Sequence, residues 1–210
     1  MKGTPSPDEI AASIARRDRA FRSVIKVVGP PPSRRPAPVA DRFGSLARSI
    51  TFQLLATKAA NTIHSRVLGL CGQEMSAERL IAVGVDALRL VGLSGTKAEA
   101  MVELAERTAD GRLQLSRHGR MSDEQITREL TTVRGIGPWT AQMYLMGTLA
   151  RRDVWPVGDF GVRHGWSLVH GLDEIVTEGE LRERGAPFAG LRSAVAWYCW
   201  QAVHLERGDG

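Results

Sequence analysis

The apolar side chains of this chain recur at helical spacing almost without interruption from Asp41 onward. Spacings of three and four residues place side chains on one face of a helix, whereas a strand that is half buried needs strict alternation. No segment alternates in that way. The pattern therefore predicts an all-α fold, with helices at about 43–55, 57–70, 77–83, 85–91, 95–109, 123–133, 138–150, 159–170, 178–184 and 188–206.

A proline-rich stretch separates this region from an N-terminal helix. Ser6 is a candidate cap, and Pro7 suits a first helical turn, so a helix is predicted from there to about Val28. The stretch that follows, 29–40, reads GPPPSRRPAPVA and is too stiff and too poor in N–H donors for a helix. We therefore predict an N-terminal helix with its connector over residues 1–40 and one helical domain over 41–210.

Two glycines interrupt the helical pattern within LTTVRGIGPWTA, residues 130–141. Gly135 and Gly137 can take positive φ angles, so the chain can reverse there between two helices, the first opened by a capping box of Ser122 and Gln125. The N-terminus of the second helix leaves N–H groups without partners and would suit an anion such as a DNA phosphate. A plain connection between two helices that binds nothing explains the glycines equally well.

The composition favours a polyanionic partner. Lys and Arg number 28 against 23 Asp and Glu, which gives a net charge of +5.

Cys71 and Cys199 lie far apart and no CxxC occurs, which argues against a disulfide scaffold, a zinc site and an iron–sulfur cluster. No apolar run approaches about 18 residues, and no signal-peptide core is present, so a cytoplasmic protein without membrane insertion is expected. No metal-binding spacing relates the histidines, which are His64, His118, His164, His170 and His204.

One aspartate stands out downstream of the hairpin. Asp159 lies in VWPVGDFGVRHGW, residues 154–166, after a Pro-x-Gly turn and at the predicted start of a helix. Its ordinary role would be an N-cap. The combination of this aspartate with the hairpin is a more specific signal than either feature alone.

These features together resemble the helix-hairpin-helix DNA glycosylases of the HhH-GPD superfamily, and within them the alkylbase, or DNA-3-methyladenine glycosylase II, branch. The resemblance covers about residues 41–205. It rests on FQLLATKAANTI (52–63), GLSGTKAEAMVELA (92–105), LTTVRGIGPWTAQMYLM (130–146), PVGDFGVR (156–163) and LRSAVAWYCW (191–200). It implies two all-α subdomains that flank an active-site cleft.

The resemblance also implies a reaction. Such an enzyme turns a damaged nucleotide out of the duplex and hydrolyses its N-glycosidic bond, and Asp159 would be the carboxylate that stabilises positive charge at C1′. Alkylated purines of the 3-methyladenine and 7-methylguanine type are the implied substrates in base excision repair. Trp139 occupies the position of the lysine with which related enzymes cut the strand, so a monofunctional glycosylase is expected.

The remaining site residues are carried over from the family by position. Leu54, with Gln53 beside it, corresponds to the wedge that enters the duplex, although spacing alone favours a core leucine. The residues expected to grip the DNA backbone are Arg134, Gly135, Ile136, Gly137 and Thr140. The aromatic residues proposed for the base pocket, each of which could instead be core, are Trp139, Phe160, Tyr144 and Trp197. No cofactor is required, but a structural Na⁺ or K⁺ is a possibility at the main-chain carbonyls of Thr131, Val133 and Gly135.

Two departures from the family pattern concern the substrate range and the catalytic turn. Leu191 stands where the alkylbase branch has an aromatic residue, and Pro-Val-Gly at 156–158 lacks the extra acid of some relatives.

The expected partner is double-stranded DNA, bound by a monomer that would be nucleoid-associated in a bacterium. Two other interpretations stay open: a non-catalytic DNA-binding protein with the same hairpin, and a glycosylase for deaminated or oxidised bases.

Overall fold

A computed structural model describes residues 5–208, and this part of the chain is helical with no β-strand. The all-α prediction is confirmed. The helices are α1 (Pro7–Arg17), α2 (Arg22–Val28), α3 (Val39–Phe52), α4 (Thr57–Leu70), α5 (Ala77–Leu90), α6 (Gly95–Ala109), α7 (Asp123–Leu130), α8 (Pro138–Gly147), α9 (Phe160–His170), α10 (Glu178–Arg184) and α11 (Arg192–Arg207). Short 3₁₀ turns lie at Arg19–Phe21, Leu115–Arg120 and Ala186–Phe188.

The helix ends follow the local chemistry of the sequence. The capping box of Ser122 and Gln125 is present at the start of α7. Gly84 has φ 73° and ψ 170° inside α5, so the predicted break between residues 83 and 85 is confirmed. The predicted single helix from residue 7 to Val28 is wrong, because the extended backbone at Asp18 ends α1 and its carboxylate caps a 3₁₀ turn through the N–H of Ala20.

Residues 36–150 form one compact unit, here called the central unit. It contains α3 to α8, and α5 packs along α6. Its core is built from fully buried side chains on the inner faces of these helices, which include Leu46, Ile50, Leu80, Leu88, Met101, Leu104, Ile126 and Leu130. This unit carries both the hairpin and Leu54.

A second unit combines the two ends of the described chain, residues 5–35 and 151–208, and is here called the terminal unit. Phe21 joins the two stretches, because its ring makes edge-on contacts with the rings of Trp166, His170, Phe188 and Tyr198. The N-terminal helices thus pack with the C-terminal ones within this unit.

Close packing of α9 on α11 fixes the part of the terminal unit that carries Asp159. A Cβ atom at Gly165 of α9 would overlap the backbone carbonyl of Cys199 in α11. Only a glycine allows the two helices to approach this closely.

Candidate functional site

The GIG hairpin connects α7 to α8, and its two glycines serve different purposes. Gly135 takes a left-handed φ of 75°, and a Cβ there would lie 3.0 Å from Cβ of Ala100 in α6. Gly137 has φ −91° and ψ 177°, which any residue adopts, and its Cβ would have no neighbour within 4 Å. The fold therefore requires glycine at 135, whereas no neighbour among residues 5–208 requires it at 137.

The start of α8 presents backbone donors. Among residues 5–208, the N–H groups of Gly137 and Thr140 have no hydrogen-bond partner. The N–H of Ile136 donates to the carbonyl of Val133 at 3.1 Å, and the Ile136 side chain is buried. Unpartnered N–H groups at the positive end of the helix dipole are suited to a phosphate oxygen.

Two residues expected to grip DNA have their side chains engaged within the protein. Thr140 is buried and its hydroxyl accepts from Gln53 Nε2, so its side chain serves the fold and not an external ligand. The Arg134 guanidinium donates to Glu99 at 2.7 Å, in an ion pair that is exposed on both sides. An exposed pair contributes little to stability, so Arg134 can exchange Glu99 for a phosphate at small cost.

The hairpin also borders a recess of about 470 Å³ that is lined by residues 131–137 and Glu103. The carbonyl of Val133 accepts one hydrogen bond from Ile136, and that of Gly135 accepts one from Gln53. Each carbonyl oxygen has two lone pairs and so keeps a second for another donor or a cation. The carbonyls of Val133 and Gly135 therefore keep acceptor capacity beside this recess.

Leu54 lies in the turn between α3 and α4 and is fully exposed, at 103% of its reference surface. Its φ angle is 53°, in the left-handed region that non-glycine residues seldom occupy. The interpretation of Leu54 as a core residue is therefore wrong. Neither burial of the side chain nor the conformational preference of leucine explains why Leu54 occupies this turn. An exposed leucine with a strained backbone is therefore a feature associated with function.

Gln53 ties this turn to the hairpin. Its side-chain Nε2 donates to the carbonyl of Gly135 at 2.9 Å and to the Thr140 hydroxyl at 3.0 Å. Gln53 lies at the end of α3, whereas Gly135 and Thr140 belong to the hairpin and the start of α8, and the structure brings these two places together. Gln53 thus links the expected wedge to the expected phosphate-binding turn.

Asp159 is the N-cap of α9 in the terminal unit and is half-buried. Its Oδ1 accepts a 2.8 Å hydrogen bond from the N–H of Val162 and a 2.9 Å hydrogen bond from the indole Nε1 of Trp200 in α11. A Cβ at Gly161 would lie 3.0 Å from Trp200 Cδ1, so this glycine leaves room for the indole. These two donors fix the orientation of the carboxylate.

Trp200 was not identified by sequence reasoning. It lies next to Cys199, whose thiol has a raised pKa because the group is buried and, secondly, because the Asp159 charge opposes a thiolate. The sequence signal that could have found Trp200 is the small residue Gly161 directly after Asp-Phe, which allows a bulky partner to approach.

The aromatic residues proposed for a base pocket differ in exposure. The prediction that Tyr144 lines a base pocket is corrected here. Tyr144 is 1% exposed and its hydroxyl pairs with Nδ1 of buried His118 at 3.0 Å, so its ring has no face for a base. Trp139 in the central unit is 43% exposed and Phe160 in the terminal unit is 56% exposed, so each offers ring surface. Trp197 is half-buried and packs on Tyr198 with centroids 4.9 Å apart.

Leu191, the departure noted in the sequence, is buried at the start of α11. Its N–H donates to the carbonyl of Phe188 at 2.8 Å. It lines a recess of about 670 Å³ together with residues of α1 such as Ser13 and Arg16. A leucine here offers no aromatic face to a bound base.

Two classes of site find no support in residues 5–208. No cluster of three or more His, Cys, Asp or Glu side chains in that range is arranged to hold a metal ion. None of the described helices has the length and apolarity needed to cross a membrane.

Comparison with known proteins identifies the family of this chain. The model of the HhH-GPD superfamily of base excision DNA repair proteins matches residues 47–188. DNA-3-methyladenine glycosylase 1 of Schizosaccharomyces pombe is 30% identical over 191 residues, which span 90% of this chain and 84% of that protein.

Two solved structures share the fold over nearly the whole chain. The S. pombe 3-methyladenine DNA glycosylase in complex with abasic DNA matches with a TM-score of 0.83 at 29% identity, over 91% of this chain and 95% of that one. A DNA-3-methyladenine glycosidase from Bacillus halodurans matches with a TM-score of 0.81 at 30% identity, over 99% of this chain and 94% of that one. The resemblance inferred from the sequence is thereby confirmed, and the chain belongs to the HhH-GPD superfamily of base excision DNA repair proteins.

Proposed function

We propose that this protein is a DNA glycosylase that hydrolyses the N-glycosidic bond of alkylated purines in double-stranded DNA. The observation that carries the proposal is the Asp159 carboxylate, which is fixed at the N-terminus of α9 by Val162 and Trp200. The names of the relatives support the substrate class, since the S. pombe proteins that the chain matches are named 3-methyladenine DNA glycosylases.

The reaction needs the base outside the duplex, because stacking and pairing protect the bond to C1′. In this proposal the N–H groups at the start of α8 hold a backbone phosphate, and Leu54 fills the gap left by the extruded nucleotide. The carbonyls of Thr131, Val133 and Gly135 would hold a monovalent cation, which would add positive charge beside that phosphate.

Asp159 then acts on the developing charge at C1′. As the bond lengthens, the sugar becomes an oxocarbenium-like cation, and an oriented carboxylate stabilises it without further reorganisation. A purine alkylated at N3 or N7 is already cationic and leaves readily, so no dedicated general acid is required. Asp159 also orients the water that attacks C1′, as the base of an inverting glycosidase does.

Exposed aromatic faces suit such a base, because a cationic ring is attracted to an electron-rich one. Trp139 and Phe160 supply these faces in this proposal, with Trp197 as a third candidate. Because Leu191 replaces an aromatic residue of the family, less aromatic surface is available to the base. We therefore expect faster excision of bases that are good leaving groups than of other alkylated bases. We also expect a monomer that works in the cytoplasm.

Single-turnover release of free base from duplexes with one 7-methylguanine tests the proposal, with Asp159→Asn as the matched variant. Asparagine keeps the cap but removes the charge. Excision should fall on the order of a hundredfold or more, which corresponds to about 2.7 kcal/mol of transition-state stabilisation. Duplex affinity should stay near the parental value.

The result that would overturn the mechanism is parental excision by the Asn variant, which would leave Asp159 as a cap only. If the parental protein binds duplex but releases no base from methylated, deaminated or oxidised DNA, the protein is a non-catalytic DNA-binding protein. If it releases only deaminated or oxidised bases, the substrate class is wrong and the fold assignment stands.

A further inference from the structure

The segment GLSGTKAEA at 92–100 contains a lysine whose position is unusual for a helix. Ser94 caps α6 by accepting from the N–H of Lys97, so Lys97 lies in the first turn. A cation there is opposed by the positive end of the helix dipole. The side chain is therefore placed by something other than α6 itself.

The Lys97 side chain reaches the end of α3. Its Nζ donates to the backbone carbonyl of Thr51 at 3.0 Å and to that of Gln53 at 2.5 Å. These carbonyls flank the C-terminus of α3, where a helix lacks internal donors and carries negative dipole charge. Partial burial lowers the pKa of Lys97, so the ammonium pays a desolvation cost to sit there.

The backbone around the exposed leucine is thus held from several sides. The carbonyl of Ile50 accepts from the N–H of Gln53, and that of Phe52 accepts from the N–H of Leu55, both at 3.4 Å. Lys97 binds the carbonyls on either side of Phe52, and the Gln53 side chain binds the hairpin. Leu54 follows directly, at the one left-handed position of this turn.

We propose that Lys97 is a positioning residue that holds the Leu54 turn in its strained, exposed conformation, so that the leucine is already aimed when DNA binds. The strained φ of Leu54 costs about 1–3 kcal/mol and persists only where the surroundings determine it. Two charge-assisted hydrogen bonds to the preceding carbonyls supply that determination. The inference rests on the proposed function, because it concerns the wedge of a base-flipping enzyme.

The test uses two duplexes that differ only in pairing, one with 7-methylguanine opposite cytosine and one with the same base opposite a tetrahydrofuran abasic analogue. Lys97→Met keeps an unbranched side chain one atom shorter than lysine, but it cannot donate a hydrogen bond. Excision from the paired duplex should fall about ten- to a hundredfold, as expected for a misplaced group, with a much smaller loss on the unpaired duplex. Lys97→Arg, which can still donate to both carbonyls, should recover part of the activity on the paired duplex.

The control for lost charge is Lys26→Met, which removes an exposed lysine of α2 in the terminal unit and should excise from both duplexes like the parental protein. Parental behaviour of Lys97→Met on the paired duplex would overturn the inference. Equal losses on both duplexes with a lowered melting temperature would also overturn it, in favour of a structural role. If the parental protein released no base from either duplex, the proposed function itself would fail. This outcome is distinct from the two results that would overturn only the role of Lys97.

Discussion

The indole N–H of Trp200 points at Oδ1 of Asp159 across 2.9 Å, and so joins α11 to the N-cap of α9. A hydrogen bond from a neutral donor to a charged acceptor contributes about 1.5–3 kcal/mol, which is enough to select one orientation of the carboxylate. The catalytic group proposed here is therefore positioned by a residue far along the sequence.

Trp200→Phe should slow base release about tenfold, because an aromatic side chain is kept but the indole N–H that donates to the carboxylate is lost. Single-turnover excision measures the loss, and the duplex binding isotherm should not change. In the Asp159→Asn background the same substitution should have little further effect, since Trp200 acts through the carboxylate. Additive losses in the double variant would assign Trp200 another role.

Leu54→Ala should fold normally, because the side chain is fully exposed. We expect excision from the paired 7-methylguanine duplex to fall more than excision from the unpaired one. A core leucine would instead lose about 2–5 kcal/mol of stability on truncation. Leu54→Gly is a companion variant, because glycine adopts a φ of 53° without strain. We expect this variant to be slightly more stable than Leu54→Ala and to excise the base equally poorly. A large drop in melting temperature for Leu54→Ala would contradict the wedge.

The two hairpin glycines should separate binding from stability. Gly137→Ala should melt like the parental protein, because a Cβ there has open space, but it should weaken duplex binding by crowding the phosphate. Gly135→Ala should lower the melting temperature, because it strains the left-handed backbone and presses on Ala100. Fluorescence anisotropy at two salt concentrations measures the affinity, which should also fall steeply with salt. Parental affinity for Gly137→Ala would argue against a phosphate at this turn.

Treatment of a reacting mixture with borohydride should trap no covalent adduct between enzyme and DNA. Strand cleavage by this fold requires a lysine amine that forms a Schiff base, and Trp139 occupies the corresponding position. A bifunctional glycosylase treated in parallel supplies the positive control. A trapped adduct, or strand breaks before alkali, would show lyase activity.

Gly165→Ala should destabilise the terminal unit by about 3 kcal/mol or more, because the added methyl group would overlap the Cys199 carbonyl and force α9 from α11. The matched control is Gly69→Ala in α4, where no atom lies within 4 Å and alanine should stabilise the helix by about 1 kcal/mol. Chemical denaturation measures both. Equal stability of the two variants would mean that the helices can separate without cost.

Local sequence signals predicted most of the helices but not the contacts that orient the site. The capping box at Ser122 and the break at Gly84 depend on neighbouring residues only, and both were readable. The exposure of Leu54 and the contact between Trp200 and Asp159 depend on residues that are distant in sequence, which periodicity does not encode. Tyr144 was misplaced because an aromatic residue on a helix near the hairpin looks the same in sequence whether its ring faces a ligand or a buried histidine.

The terminal unit is built from two stretches that lie far apart in the chain, so its last part is synthesised long after its first. The Tyr198 hydroxyl donates to the carbonyl of Gly29 at 3.0 Å, and the ring of Phe21 meets that of Tyr198. On the ribosome, α2 emerges long before α11, so the part of its surface that packs on α11 stays uncovered until translation is nearly complete. The continuous central unit has all its residues earlier and can fold first. Since the helix that carries Asp159 packs on α11, we expect the carboxylate to become ordered among the last parts of the protein, after the GIG hairpin of the central unit.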